Sequence, residues 1–167
     1  MNLSDTGEPP SCRLPVIDCQ FAVEGQFVPA LESLTAWARS AMEDETAGIT
    51  LRLVDTDEIR HLNATYRGKD KPTNVLSFPS DLPPEIGEHY LGDIAICAPV
   101  VNAEAAEQGK TADAHWAHMV VHGVLHLRGY DHINDDEASV MEALETRLLG
   151  LLGFADPYTG LSQVTHV

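Results

Sequence analysis

His122-Gly-Val-Leu-His126-Leu-Arg-Gly129-Tyr-Asp-His132 places three histidines at i, i+4 and i+10, with a glycine between the second and third. Residues four apart share one face of a helix, so His122 and His126 can grip one ion side by side. Gly129 is free to enter the left-handed conformation that ends a helix and reverses the chain, which returns His132 as a third nitrogen donor. Three protein ligands on a tetrahedral ion leave one position for water, the arrangement of catalytic rather than structural zinc. Three imidazoles also accept nickel, copper or another divalent metal, so zinc comes first without excluding them. The segment predicts a metal-carrying helix in the C-terminal half of the chain, closed by a glycine turn.

Five of the eight histidines fall between His115 and His132. His115, His118, His122 and His126 are spaced to share one stripe. We read His115 and His118 as packing residues or as partners behind the ligands. Helical spacing alone leaves His118 open as a ligand in place of His132, or as a fourth ligand that would close the site. The pattern H-x3-H-x2-G-x2-H is that of the metzincin zinc helix, where a glutamate directly after the first histidine is the general base. Here that position is Gly123, which moves no proton. A metalloprotease-like enzyme is thereby demoted to an alternative.

Working outward, the chain reads as one small α/β (α+β) domain with about four strands in a mixed sheet and about five helices. Pro15 to Asp18 reads as a short first strand, and Leu31, Leu34, Trp37, Ala38 and Met42 repeat with helical spacing. Gly48 to Val54 alternates as a half-buried strand, and Asp55 caps a helix running to about Tyr66. Thr73 to Phe78 and Leu91 to Cys97 read as strands, with a loop from Pro79 to Glu88 between them. Ala98 to Gln108 is a helix ended by Gly109. Thr111 starts the histidine helix, and Asn134 caps a last helix that stops near Gly150 or Gly153, with Val140, Met141, Leu144 and Leu148 turned inward. The domain is expected over 11–156, between a flexible N-terminus (1–10) and a flexible tail (157–167).

A chain of 167 residues with 44% hydrophobic content is long enough for one core. It shows no apolar run long enough to span a bilayer and no signal peptide. Cys12, Cys19 and Cys97 are scattered without a CxxC pair and read as reduced thiols, which points to the cytoplasm. The formal net charge of −16 leads away from nucleic acid. Against that, Arg67, Lys69 and Lys71 gather in five positions, with Arg60 just before them. Such a cluster is either a solvated loop or a small phosphate-binding face on an acidic body.

The segment from His122 to His132, the block from Leu62 to Pro79 (LNATYRGKDKPTNVLSFP) and Leu91-Gly92-Asp93-Ile94 together resemble the YbeY family, bacterial metal-dependent endoribonucleases of ribosomal RNA maturation. The order and spacing of the blocks match over about residues 47 to 155. The resemblance implies a zinc-dependent endoribonuclease acting on single-stranded ribosomal RNA precursors and in ribosome quality control, with ribosomal proteins or assembly GTPases as possible partners. It implies His122, His126 and His132 as metal ligands and makes Arg67 the functional arginine, with His122 serving catalysis as well as the metal. A guanidinium suits the charge that develops at phosphorus. Lys69 and Lys71 are expected to position the RNA backbone. Asp93 and Asp131 are weaker candidates for substrate positioning, Asp131 alternatively orienting a ligand imidazole. Asn74 and Ser77 contact substrate or are ordinary strand residues, and Phe78 stacks a base or packs in the core. A different class stays open: a ribosome-associated assembly factor whose metal is structural.

Overall fold

Ile49, Leu51 and Leu53 alternate with Thr50 and Arg52, and this one strand organises the molecule. The computed structural model describes residues 16–42, 47–80, 90–131 and 134–158. Strand β2 (Gly48–Val54) lies between β1 (Val16–Phe21) and β4 (Tyr90–Cys97), parallel to both. Strand β3 (Val75–Pro79) pairs antiparallel with β4, from Val75 opposite Ile96 to Pro79 opposite Gly92. The sheet is therefore mixed, in the order β1-β2-β4-β3. Helices α1 (Leu31–Ala41), α2 (Thr56–Arg67), α3 (Ala98–Gln108), α4 (Ala112–Leu127) and α5 (Asp135–Leu151) complete a single small α/β domain, as expected.

Strand alternation divides the apolar residues between two faces. Ile49, Leu51, Leu53, Ile94 and Ile96 meet α1 and α4 in the main core, while Val54, Leu76, Ala95 and Cys97 form a smaller cluster with Ile59 of α2. Helix α4 is buried almost all round; Val120, Val121, Val124 and Leu125 are fully enclosed, each contributing about 1.5–3 kcal/mol of burial. The caps behave as their sequences predict. Asp55 accepts from the Glu58 N–H at 2.9 Å, Thr111 from Ala114 at 3.1 Å and Asn134 from Glu137 at 2.9 Å.

Four details depart from the sequence reading. β1 runs on to Phe21 because Cys19, Gln20 and Phe21 keep pairing with Leu51, Arg52 and Leu53. β3 starts at Val75 and includes Pro79, after which the Ser80 N–H still donates to Leu91 O at 2.9 Å. Val140, expected inward, is 57% exposed. The inner stripe of α5 is Met141, Glu145 and Leu149, four residues apart, and it turns Val140 outward. Finally, the packed chain continues past the expected boundary at 156: Pro157 is buried and Tyr158 reaches into the interior. Cys19 and Cys97 are free thiols, whereas Cys12, residues 81–89 and both chain ends lie outside the described residues. Among the described residues no helix is long and apolar enough to cross a membrane.

Candidate metal centre

The histidine helix sits directly on the sheet. At Gly123 a β-carbon would stand 2.9 Å from Cγ2 of Ile94, and the Gly123 carbonyl accepts the Ser77 hydroxyl at 3.1 Å. The helix ends as its glycine requires. Gly129 adopts φ +101°, its N–H donates to His126 O at 3.0 Å, and the Tyr130 N–H donates to Leu125 O at 3.1 Å. These are the two bonds of a Schellman turn, and they send Tyr130 and Asp131 back along the helix end. His132 itself lies outside the described residues.

His122 presents its two ring nitrogens to two different places. Nε2 lies 3.1 Å from Nε2 of His126. Two nitrogens on one tetrahedral zinc stand about 3.3 Å apart, given Zn–N distances of about 2.0–2.1 Å. The pair as folded therefore fits a shared ion. On its other side, Nδ1 of His122 donates to Oε2 of Glu145. Glu145 is wholly buried; its Oε1 accepts from Nε2 of His118 at 3.2 Å and from the Tyr158 hydroxyl. Donor atoms of His118, His122 and Glu145 lie within 4.8 Å of one another, so this group is a second set able to take an ion. Burial alone would raise the Glu145 carboxyl, but hydrogen bonds from His118 and His122, and their nearness, hold it down at about 2. The same burial and the Glu145 carboxylate push the Tyr158 hydroxyl up.

Behind this group, His115 Nε2 meets Glu104 at 2.9 Å, and Glu104 also accepts from the Asn74 amide at 3.2 Å. Burial lowers the His115 pKa despite that carboxylate. His115 is thus a packing residue with a polar partner, as its spacing suggested, and Asn74 is committed to Glu104.

Arg67 ends α2, where Gly68 takes the left-handed C-cap at φ 71°. Its Nη2 donates to Ser77 O at 2.7 Å, and its guanidinium carbon stands 5.1 Å over the Phe78 ring. Phe78 in turn meets Tyr66 edge-on at 5.3 Å. These anchors put Arg67 on the wall of a cleft of about 490 Å³, together with Ser77, His122, His126 and Asp131. Three expected residues are not on that wall. Lys69 and Lys71 are exposed in the turn after α2. Asp93 faces away, because alternation along β4 gives Ile94 to the α4 side; the Tyr90 hydroxyl bonds Asp93, which lines a separate cavity with Thr50 and Arg52.

Glu145 and Tyr158 were not anticipated. The signal for Glu145 was present: a carboxylate four residues after Met141 and four before Leu149 interrupts an apolar stripe. Such a charge is tolerated only with buried partners.

The chain matches the family model described as "Endoribonuclease YbeY" over residues 22–153. Among solved structures it is similar to the solution structure of TM1509 from Thermotoga maritima. That match has a TM-score of 0.54 and 30% identity, covering 78% of this chain and 86% of that one.

Proposed function

The chain belongs to the YbeY family of endoribonucleases, and we propose that its cleft is a metal-dependent site cutting single-stranded RNA in ribosomal RNA maturation and quality control. The observation that supports this most is the meeting of Arg67, from the end of α2, with His122 and His126, from α4, on one cleft. Zinc is the ion of first choice, held by His122, His126 and His132, with nickel or another divalent ion as the alternative that imidazole donors allow. When bound, the ion supplies Lewis acidity at a phosphate oxygen and brings water's acidity toward neutral pH.

The chain's own residues supply the rest. Negative charge grows on the phosphate oxygens as the bond is broken, and the planar Arg67 guanidinium is suited to two of them at once. Its bond to Ser77 O and its seat over Phe78 hold it in place beforehand, which spares reorganisation during the reaction. Lys69 and Lys71 take the RNA backbone. Asp131, on the cleft wall, is suited to orient a ligand imidazole. The excess of acidic residues suits basic ribosomal proteins as recruiting partners, with assembly GTPases as a further possibility in the cytoplasm.

One alternative loses support on a distance: a glutamate at position 123, as a protease requires, would collide with Ile94. A structural metal would sit instead in the buried His118–His122–Glu145 group. The test is cleavage of a labelled single-stranded RNA by zinc-loaded protein, with His126→Ala and Arg67→Lys purified identically. Wild type should cut; His126→Ala should lose both bound zinc and cutting. Arg67→Lys should lose on the order of 10²-fold in rate. Equal cutting by wild type and His126→Ala, or none by either, would overturn the enzymatic reading in favour of an assembly factor with a structural metal.

A further inference from the structure

We propose that Glu145 is the positioning residue of the metal centre: its buried carboxylate accepts a hydrogen bond from Nδ1–H of His122 and so leaves Nε2 as the lone-pair nitrogen, facing His126 and the cleft. This rests on the reading of His122 as a metal ligand.

The argument begins with a cost. Glu145 is 0% exposed in the apolar stripe of α5, and a buried carboxylate persists only where donors replace its water. Three donors reach it: His118 Nε2–H, His122 Nδ1–H and the Tyr158 O–H. A neutral imidazole has one N–H, so a ring that gives Nδ1–H to Glu145 offers its lone pair at Nε2. That nitrogen is the one 3.1 Å from Nε2 of His126. The same carboxylate locks His118 the opposite way round. His118 gives Nε2–H to Glu145, while its Nδ1 is buried with no hydrogen-bond partner among the described residues. One carboxylate thus assigns opposite tautomers to two histidines on one helix face. His118 becomes a support and His122 a ligand.

Tyr158 makes the arrangement specific. Its hydroxyl holds Oε1 and sits 3.3 Å from His118 Nε2, which leaves Oε2 for His122. The chain beyond α5 therefore belongs to the metal centre. Because the carboxylate is wholly buried and does not line the cleft, its effect has to pass through the orientation and basicity of the His122 ring. Partners of this kind typically change metal affinity by about 10- to 100-fold.

The decisive measurement is a long-range proton–nitrogen correlation spectrum of ¹⁵N-histidine-labelled protein, metal-free and zinc-loaded. His122 should appear as the Nδ1–H tautomer without metal, and the Nε2 signal should move on zinc binding. An Nε2–H tautomer in the metal-free wild type would overturn the proposal. So would zinc binding through Nδ1, which would make Glu145 a ligand of the His118–His122–Glu145 group. Neither outcome needs a variant. Glu145→Gln, of nearly the same shape, should bind zinc about 10- to 100-fold more weakly and, when saturated, lose kcat with KM unchanged. Wild-type affinity in that variant would overturn the proposal. The expected tautomer in a protein that cuts no RNA would sink the ribonuclease reading alone.

Discussion

A β-carbon on Gly123 would stand 2.9 Å from Cγ2 and 3.1 Å from Cδ1 of Ile94, and 3.4 Å from Oγ of Ser77. Two effects oppose each other in Gly123→Ala. Alanine is favoured over glycine in a helix by about 1 kcal/mol, whereas overpacking a tight core costs about 1–3 kcal/mol. Since Ile94 is fully buried and cannot swing away, we expect a net loss of up to about 2 kcal/mol by urea denaturation. Combining it with Ile94→Ala should cost less than the sum of the two single changes, because the clash is then gone. Additive penalties would mean that helix and sheet do not meet here. At this scale the sequence was partly legible. The candidate ligands His122 and His126 announce themselves by spacing within one helix, and Arg67 stood out through the YbeY resemblance. Tyr158 did not, and Glu145 showed only as a carboxylate within an apolar stripe, because the role of each comes through contacts that the chain closes over a long separation.

The elements were legible where their patterns are periodic. β2, α3 and the capped starts of α2, α4 and α5 fall where alternation, helical spacing and cap residues place them. The inner face of α5 was misread because Val140 and Glu145 invert the usual rule, an exposed valine beside a buried glutamate. The sheet order was never in the local pattern, as it depends on which strands pair. One glycine shows how finely that pairing is set. Gly92 has φ +145°, and a β-carbon there would lie 2.3 Å from Phe78 O and 2.9 Å from Pro79 Cα. Both are backbone atoms of β3, so nothing can rotate out of the way. Gly92→Ala should therefore loosen β3 from β4, at about 2–3 kcal/mol or more. Arg67 leans on Ser77 O and Phe78 of that strand. Hydrogen exchange should show β3 amides losing protection before those of β2, with RNA cleavage falling alongside. Unchanged protection in β3 would show that the strand's position does not depend on this close approach.

For the whole molecule, the formal charge of −16 sets the terms on which an RNA can approach. Among the described residues, Arg60 is paired with Asp70 at 2.8 Å and Arg52 with Glu58 at 2.6 Å. Arg67 lines the cleft, and Lys69 and Lys71 stand exposed in the turn that follows it. Each phosphate neutralised on a single strand contributes about −0.7 to the slope of log K against log salt. Three such contacts give a slope of about −2. The acidic body opposes this, since added salt also screens its repulsion of RNA, over about 30 Å at 0.01 M but about 10 Å at 0.1 M. We therefore expect metal-free protein to bind a labelled single-stranded RNA with a slope between zero and about −2. Anisotropy titrations across that salt range read it directly. Replacing Lys69 and Lys71 by alanine should flatten the slope further while weakening binding at every salt concentration. A slope of about −5 or steeper would require a broad basic track, and the RNA would then have to lie across a different face. The shallow slope would mean that affinity for RNA in general is weak, so that selection of the right RNA falls to whatever basic partner the acidic surface recruits.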